Sequence, residues 1–165
     1  MTPARAMTGL CALALSACTP TPQGRADLLP QMLVMQSDPG IAAFFASEAR
    51  AAGVGAIELT DSAGMRQALG TDAIGLTRLG AAGGSRISYN IARPDGATPQ
   101  NIAHEIAHAR AGRSGCDNHG AVWGDAYVAI AQRFEPQFPG VLWAGLRPTE
   151  QAREEAALYP EEQCG

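Results

Sequence analysis

Lysine is absent from this chain, and all 12 of its basic residues are arginine. The arginines are scattered, the formal net charge is −4, and no basic stripe forms. The electrostatic footprint of a nucleic-acid binder is therefore missing. Aromatic residues are scarce, at 5%. A core must come mainly from Ala, Leu, Ile and Val, and a hydrophobic content of 46% is enough to exclude disorder over the whole length. The apolar run from Met7 to Ala17 is too short to span a bilayer as a stable helix. Histidine is scarce as well: there are three, and all lie in the sixteen residues from His104 to His119. At 165 residues the chain is most simply one domain.

What is present at the N-terminus reads as an export signal rather than as fold. Arg5 supplies a positive start, the apolar run follows, and it ends in Leu15-Ser16-Ala17-Cys18. That ending resembles a bacterial lipobox. The resemblance implies that residues 1–17 are a signal peptide and that Cys18 is the lipidated first residue of the mature chain. Thr19, where an Asp would favour the inner membrane, points to a lipid anchor in the outer membrane facing the periplasm. The plainer alternative is an ordinary secretory signal with a chance cysteine. Residues 18–25 are a Pro/Thr-rich linker, and residues 26–165 are the folded domain. Cys11 leaves with the signal, so Cys116 and Cys164 remain as an even pair in an oxidising compartment. A Cys116–Cys164 disulfide is the simple expectation; Cys116 as a metal ligand is the rival.

Periodicity predicts an α+β order. Asp27 to Gln36 suggests a short helix. Asp38 and Pro39 open a clearer one that Gly53 stops. Three strand-like segments follow, Val54 to Thr60, Ala73 to Leu79 and Ser85 to Ala92, with a helical turn at Gly64 to Leu69. The third alternates, with Ile87, Tyr89 and Ile91 on one face and Arg86, Ser88 and Asn90 on the other. Pro94-Asp95-Gly96 is a turn. Thr98-Pro99 starts a helix that ends at Gly112, with Ile102, Ala103, Ile106 and Ala107 on its buried side. A further helix ends near Glu135-Pro136 and carries the apolar stripe Val122, Trp123, Ala126, Tyr127, Ile130 and Phe134, which reads as core. Pro148 to Tyr159 is expected as a last, exposed, acidic helix.

The chemistry concentrates in His104-Glu105-Ile106-Ala107-His108, an H-E-x-x-H motif on a helix. Residues at i and i+4 share a helical face, so two imidazoles there can meet one Zn²⁺. Glu105 is turned about 100° from His104 and suits a general base for water at the metal. A third ligand is needed, and His119 is the first candidate, with Asp125 and Glu135 as acidic alternatives. Ordinary helix and surface histidines would be the plain reading of the same residues.

The motif looks like that of a zincin metallopeptidase. With His119-Gly120-x-x-Trp123 opening the next helix, it more narrowly resembles the SprT-like group. That resemblance spans roughly residues 38 to 135. It implies zinc ligands at His104, His108 and His119, Glu105 as catalytic base, and a minimal zincin-like domain with an N-terminal helix, a small three-stranded sheet, the motif helix and a second helix carrying the third ligand. It also implies that Ser85 to Ala92 is the edge strand along which a peptide lies. The metzincin pattern is not met, because Ala111 and Ser114 stand where Gly and His would be, and no cysteines remain for a zinc ribbon. DNA-linked roles of that group are not expected here.

Two function classes follow. One is a zinc-dependent peptide hydrolase of the cell envelope, acting on proteins or peptidoglycan stem peptides, with Tyr89, Tyr127, Arg110 and Arg113 as candidate oxyanion donors. The other is a non-catalytic envelope lipoprotein with a structural zinc, in which Trp123, Trp143 and the acidic tail serve a partner. The stretch from Gly140 to Gly165 could in either case cover the site.

Overall fold

A computed structural model describes residues 38–69, 73–80, 84–90, 92–93, 98–113 and 119–159. The proposed signal peptide, Cys18, the linker, the 27–36 helix, Ile91, the 94–96 turn, Cys116 and Cys164 lie outside the described residues. The described part is α+β, with five helices and a three-stranded mixed sheet.

Helix α1, Pro39–Ala51, begins where Asp38 accepts a 2.6 Å hydrogen bond from the Gly40 N–H and Pro39 occupies the first turn. Gly53 ends it with φ +71°, a conformation that costs glycine nothing. Strand β1, Val54–Thr60, follows at once, then helix α2, Ser62–Leu69, and strands β2, Gly75–Arg78, and β3, Ser85–Asn90.

The strand order is β1-β3-β2, with β3 parallel to β1 and antiparallel to β2. The expected edge role of Ser85 to Ala92 is thereby corrected: β3 is the central strand, and β2 and β1 are the edges. On the face opposite Ile87 and Tyr89, Ser88 and Asn90 are buried and only Arg86 is exposed. Burial is tolerated because each side chain is satisfied. Ser88 bonds Glu58, while Asn90 bonds the Ser62 hydroxyl and the Ala73 carbonyl and accepts from the Ala92 N–H.

Helix α3, Pro99–Gly112, is capped by Thr98, whose hydroxyl accepts from the Asn101 N–H. It lies at the centre of the molecule: Ile102, Ala103, Ile106, Ala107 and Ala109 are all fully buried. Helices α4, Ala121–Phe134, and α5, Pro148–Ala157, complete the helical layer. Most of the few aromatics form one seam. Phe45 stacks on Phe134, Phe134 meets Trp143, Trp143 stacks on Tyr127, and Tyr127 stacks on Trp123. Each such ring contributes about 1.5–3 kcal/mol by leaving water. The seam ends at the histidines.

Candidate metal centre

His104 and His108 stand one turn apart on α3, with ring centroids separated by 5.0 Å. His119 immediately precedes the N-cap of α4, Gly120, and turns back over them. Its Nε2 lies 3.1 Å from His104 Nε2 and 3.1 Å from His108 Nε2. The three rings thus converge on one point, each offering a ligand atom within 4.8 Å of the others. Among the described residues no carboxylate joins this set. Of the acidic alternatives, Glu135 accepts from the Thr149 N–H and pairs with Arg147, and Asp125 is exposed on α4.

The donor set fits a metal on its own chemistry. Two nitrogens bound tetrahedrally at 2.0–2.1 Å lie roughly 3.3 Å apart, close to the spacing found. One ring proton can bridge only one nitrogen pair, so His119 facing two others leaves lone pairs turned toward each other. A cation removes that conflict.

The surroundings hold the rings. Trp123, fully buried, sits 4.8 Å from His104 and 4.7 Å from His119 by centroids, and its indole N–H donates to the His104 carbonyl. It is core, as expected, and also the floor of the centre. His104 Nδ1 is 2.8 Å from Glu155 Oε1. An ionised carboxylate only accepts, so in the neutral ring the proton is on Nδ1 and the Nε2 lone pair faces the cluster. Burial alone would raise the Glu155 carboxyl; the hydrogen bond and charge of His104, with bonds from Gln100 and Tyr127, outweigh it and hold the group below its usual range.

Sequence reasoning missed Glu155. It placed Pro148 to Tyr159 as an exposed acidic helix, yet Ala152 is fully buried and Glu155 and Tyr159 face inward. The available signal was spacing: Ala152, Glu155, Ala156 and Tyr159 recur at three, four and seven, a buried stripe in an otherwise charged helix.

Glu105 points to a different side of α3. It is 5% exposed, and its Oε2 accepts from the Thr77 hydroxyl at 2.8 Å. Desolvation raises its carboxyl, against the smaller opposing effects of His104 and Thr77. Strand β2 passes so close that a Cβ at Gly75 would lie 2.7 Å from Glu105 Oε1. Only glycine leaves room there for the carboxylate.

A cleft of about 560 Å³ opens over these groups, lined by Gly75, Gln100, Asn101, His104, Glu105 and Glu155 among others. None of the four expected oxyanion donors lines it. Tyr89 is fully buried beside Glu105 with no partner for its hydroxyl. Tyr127 donates to Glu155, Arg110 binds Glu48, and Arg113 donates to the Ala51 carbonyl. Arg93, which the sequence reading passed over, does line it.

No family model, curated protein or solved structure matches the chain.

Proposed function

We propose that the chain is a zinc-dependent peptide hydrolase with a minimal zincin-like, SprT-like domain. The observation that carries this reading is the convergence of His104, His108 and His119 on one point, with His104 and the adjacent Glu105 both lining one cleft. The three imidazoles would hold the metal. When bound, zinc supplies Lewis acidity and makes water ionise near neutral pH. Glu105 would act as general base and return the proton to the leaving amine. Desolvation raises its pKa, the direction that makes a carboxylate a stronger base. Thr77 and Gly75 fix where its carboxylate sits.

The substrate would lie along β2, whose first residue, Gly75, borders the cleft together with Ala73 and Ile74 just before it, and which pairs only with β3 among the described residues. An extended peptide can add to such an edge through backbone hydrogen bonds, with little side-chain selectivity. Lipidation at Cys18 would present the cleft to envelope proteins or to peptidoglycan stem peptides. Elemental analysis of the mature chain tests the reading together with peptide-release assays. One zinc per chain, its loss in His119→Ala, and peptide release abolished in a zinc-loaded Glu105→Gln variant are expected. A wild-type chain that takes up no zinc when supplied with it would end the proposal.

A further inference from the structure

Helix α5 touches the histidine cluster at two points. Glu155 bonds His104 Nδ1 at 2.8 Å, and Tyr159, just past the helix end, stacks on His119 with centroids 4.7 Å apart and planes 24° from parallel. The two contacts fall on His104 and His119, one from each of the segments that build the cluster. The helix is seated for this by a close approach to α4, where a Cβ at Gly124 would lie 3.0 Å from the Ala156 Cβ. Glu155 itself is saturated by donors from two helices: His104 and Gln100 of α3, and the Tyr127 hydroxyl of α4. Taking a carboxylate this far out of water is costly, and an apolar side chain would close the same seam more cheaply. Its geometry makes sense if the carboxylate has a task on the imidazole.

We infer that α5 is a working part of the metal centre, with Glu155 and Tyr159 as positioning residues. Glu155 keeps the proton of His104 on Nδ1, so that Nε2 presents its lone pair to the metal. Tyr159 holds the plane of His119 so that its Nε2 meets the other two. This rests on the metal reading above for its purpose, but its first link, the tautomer of His104, exists without any metal.

Two measurements on the mature chain separate these links. The first is the ¹⁵N spectrum of the histidine side chains in metal-free wild type, Glu155→Ala and Glu155→Gln. Nδ1–H is expected for His104 in the wild type and in the Gln variant, whose amide oxygen still accepts. In the Ala variant the Nε2–H form, which free imidazoles in water prefer, should take over. The second is zinc affinity by competition with a chelating dye. Loss of about 10–100-fold is expected for Glu155→Ala, with a smaller loss for Glu155→Gln and for Tyr159→Ala.

An Nδ1–H signal for His104 that persists in Glu155→Ala, or zinc affinity equal to wild type in that variant, would overturn the inference. If Glu155→Ala does not fold, the near-isosteric Gln variant decides: unchanged zinc affinity with the negative charge gone counts against Glu155. A wild type that shows the Nδ1–H tautomer but binds no zinc would overturn the metal reading, and the stated role of α5 with it, while leaving the Glu155–His104 link in place.

Discussion

Helices α3 and α4 are cross-linked at two places by a carboxylate, and the two links have different consequences. On the α1 side, Glu48 receives Arg110 from α3 and Arg133 from α4, with Arg133 bound through both Nε and Nη2. On the other side, Glu155 receives His104 and Gln100 from α3 and Tyr127 from α4. A guanidinium is a donor only, so the Glu48 link ends where it begins. An imidazole has a second nitrogen. The Glu155 link therefore continues through His104 into the cluster with His108 and His119. One carboxylate is a staple and the other is the outer part of a site.

The largest effect should fall on the histidine side. Glu105→Gln should lower peptide turnover by about 10²–10⁴-fold while zinc content stays at the wild-type level. Steady-state assays on metal-loaded protein measure it, and retained turnover would remove Glu105 from the chemistry. Gly75→Ala comes next. The added methyl must push the Glu105 carboxylate aside, and misplacement of about 1 Å can cost up to about 100-fold in turnover. Unchanged zinc affinity in that variant would show that only the base had moved.

Glu48→Ala tests the other link. It leaves two guanidiniums without their carboxylate, but Arg110 and Arg133 are 24% and 43% exposed and can turn toward water. A loss of about 2 kcal/mol in urea unfolding is expected, below the 3–5 kcal/mol of a fully buried broken pair. Zinc affinity should not change. If it falls as far as in Glu155→Ala, the two links are not distinct.

Alkaline pH separates the sides in another way. Burial, and the nearby charges of Glu105 and Glu155, push the Tyr89 and Tyr127 phenols above their usual range. A folded state that binds the proton more tightly is fully stable below the unfolded pKa of about 10 and loses stability as pH rises above it. Tyrosinate absorbance from these two should therefore appear together with unfolding, not before it. Two phenols ionising in the intact fold would contradict their burial. The smallest effect is expected from Tyr89→Phe. Its hydroxyl is buried without a partner, so removal should change stability by less than about 1 kcal/mol and can raise it.

Much of the fold was legible because local signals agreed. Asp38-Pro39 and Thr98-Pro99 marked two helix starts to the residue, since a cap and a pre-set φ act on their own neighbours. The H-E-x-x-H spacing placed His104 and His108 on one face for the same reason. What was misread depended on neighbours distant in sequence. The edge role that the resemblance implied for Ser85 to Ala92 failed, because nothing local reveals that β1 and β2 flank the strand or that Glu58, Ser62 and the Ala73 carbonyl satisfy its polar side chains. Arg110 on the motif helix and Arg113 just past its end looked available to the site, but α1 takes both.

Between residues 38 and 159 the sequence by itself determined the main elements, their order and the shared face of His104 and His108, because caps, periodicity and i, i+4 spacing operate within one helix or strand. Only the tertiary structure decided which strand is central, that His119 meets His104 and His108, that Gly75 makes room for Glu105, and that Glu155 touches the histidine cluster. Glu155 shows the reason most plainly. It lies 51 positions from His104, in a helix whose composition reads as solvated, and it meets His104 because α5 packs against α4, so closely at Gly124 that a Cβ there would crowd Ala156. Contacts of that kind depend on how whole elements pack, and no local window of sequence contains them.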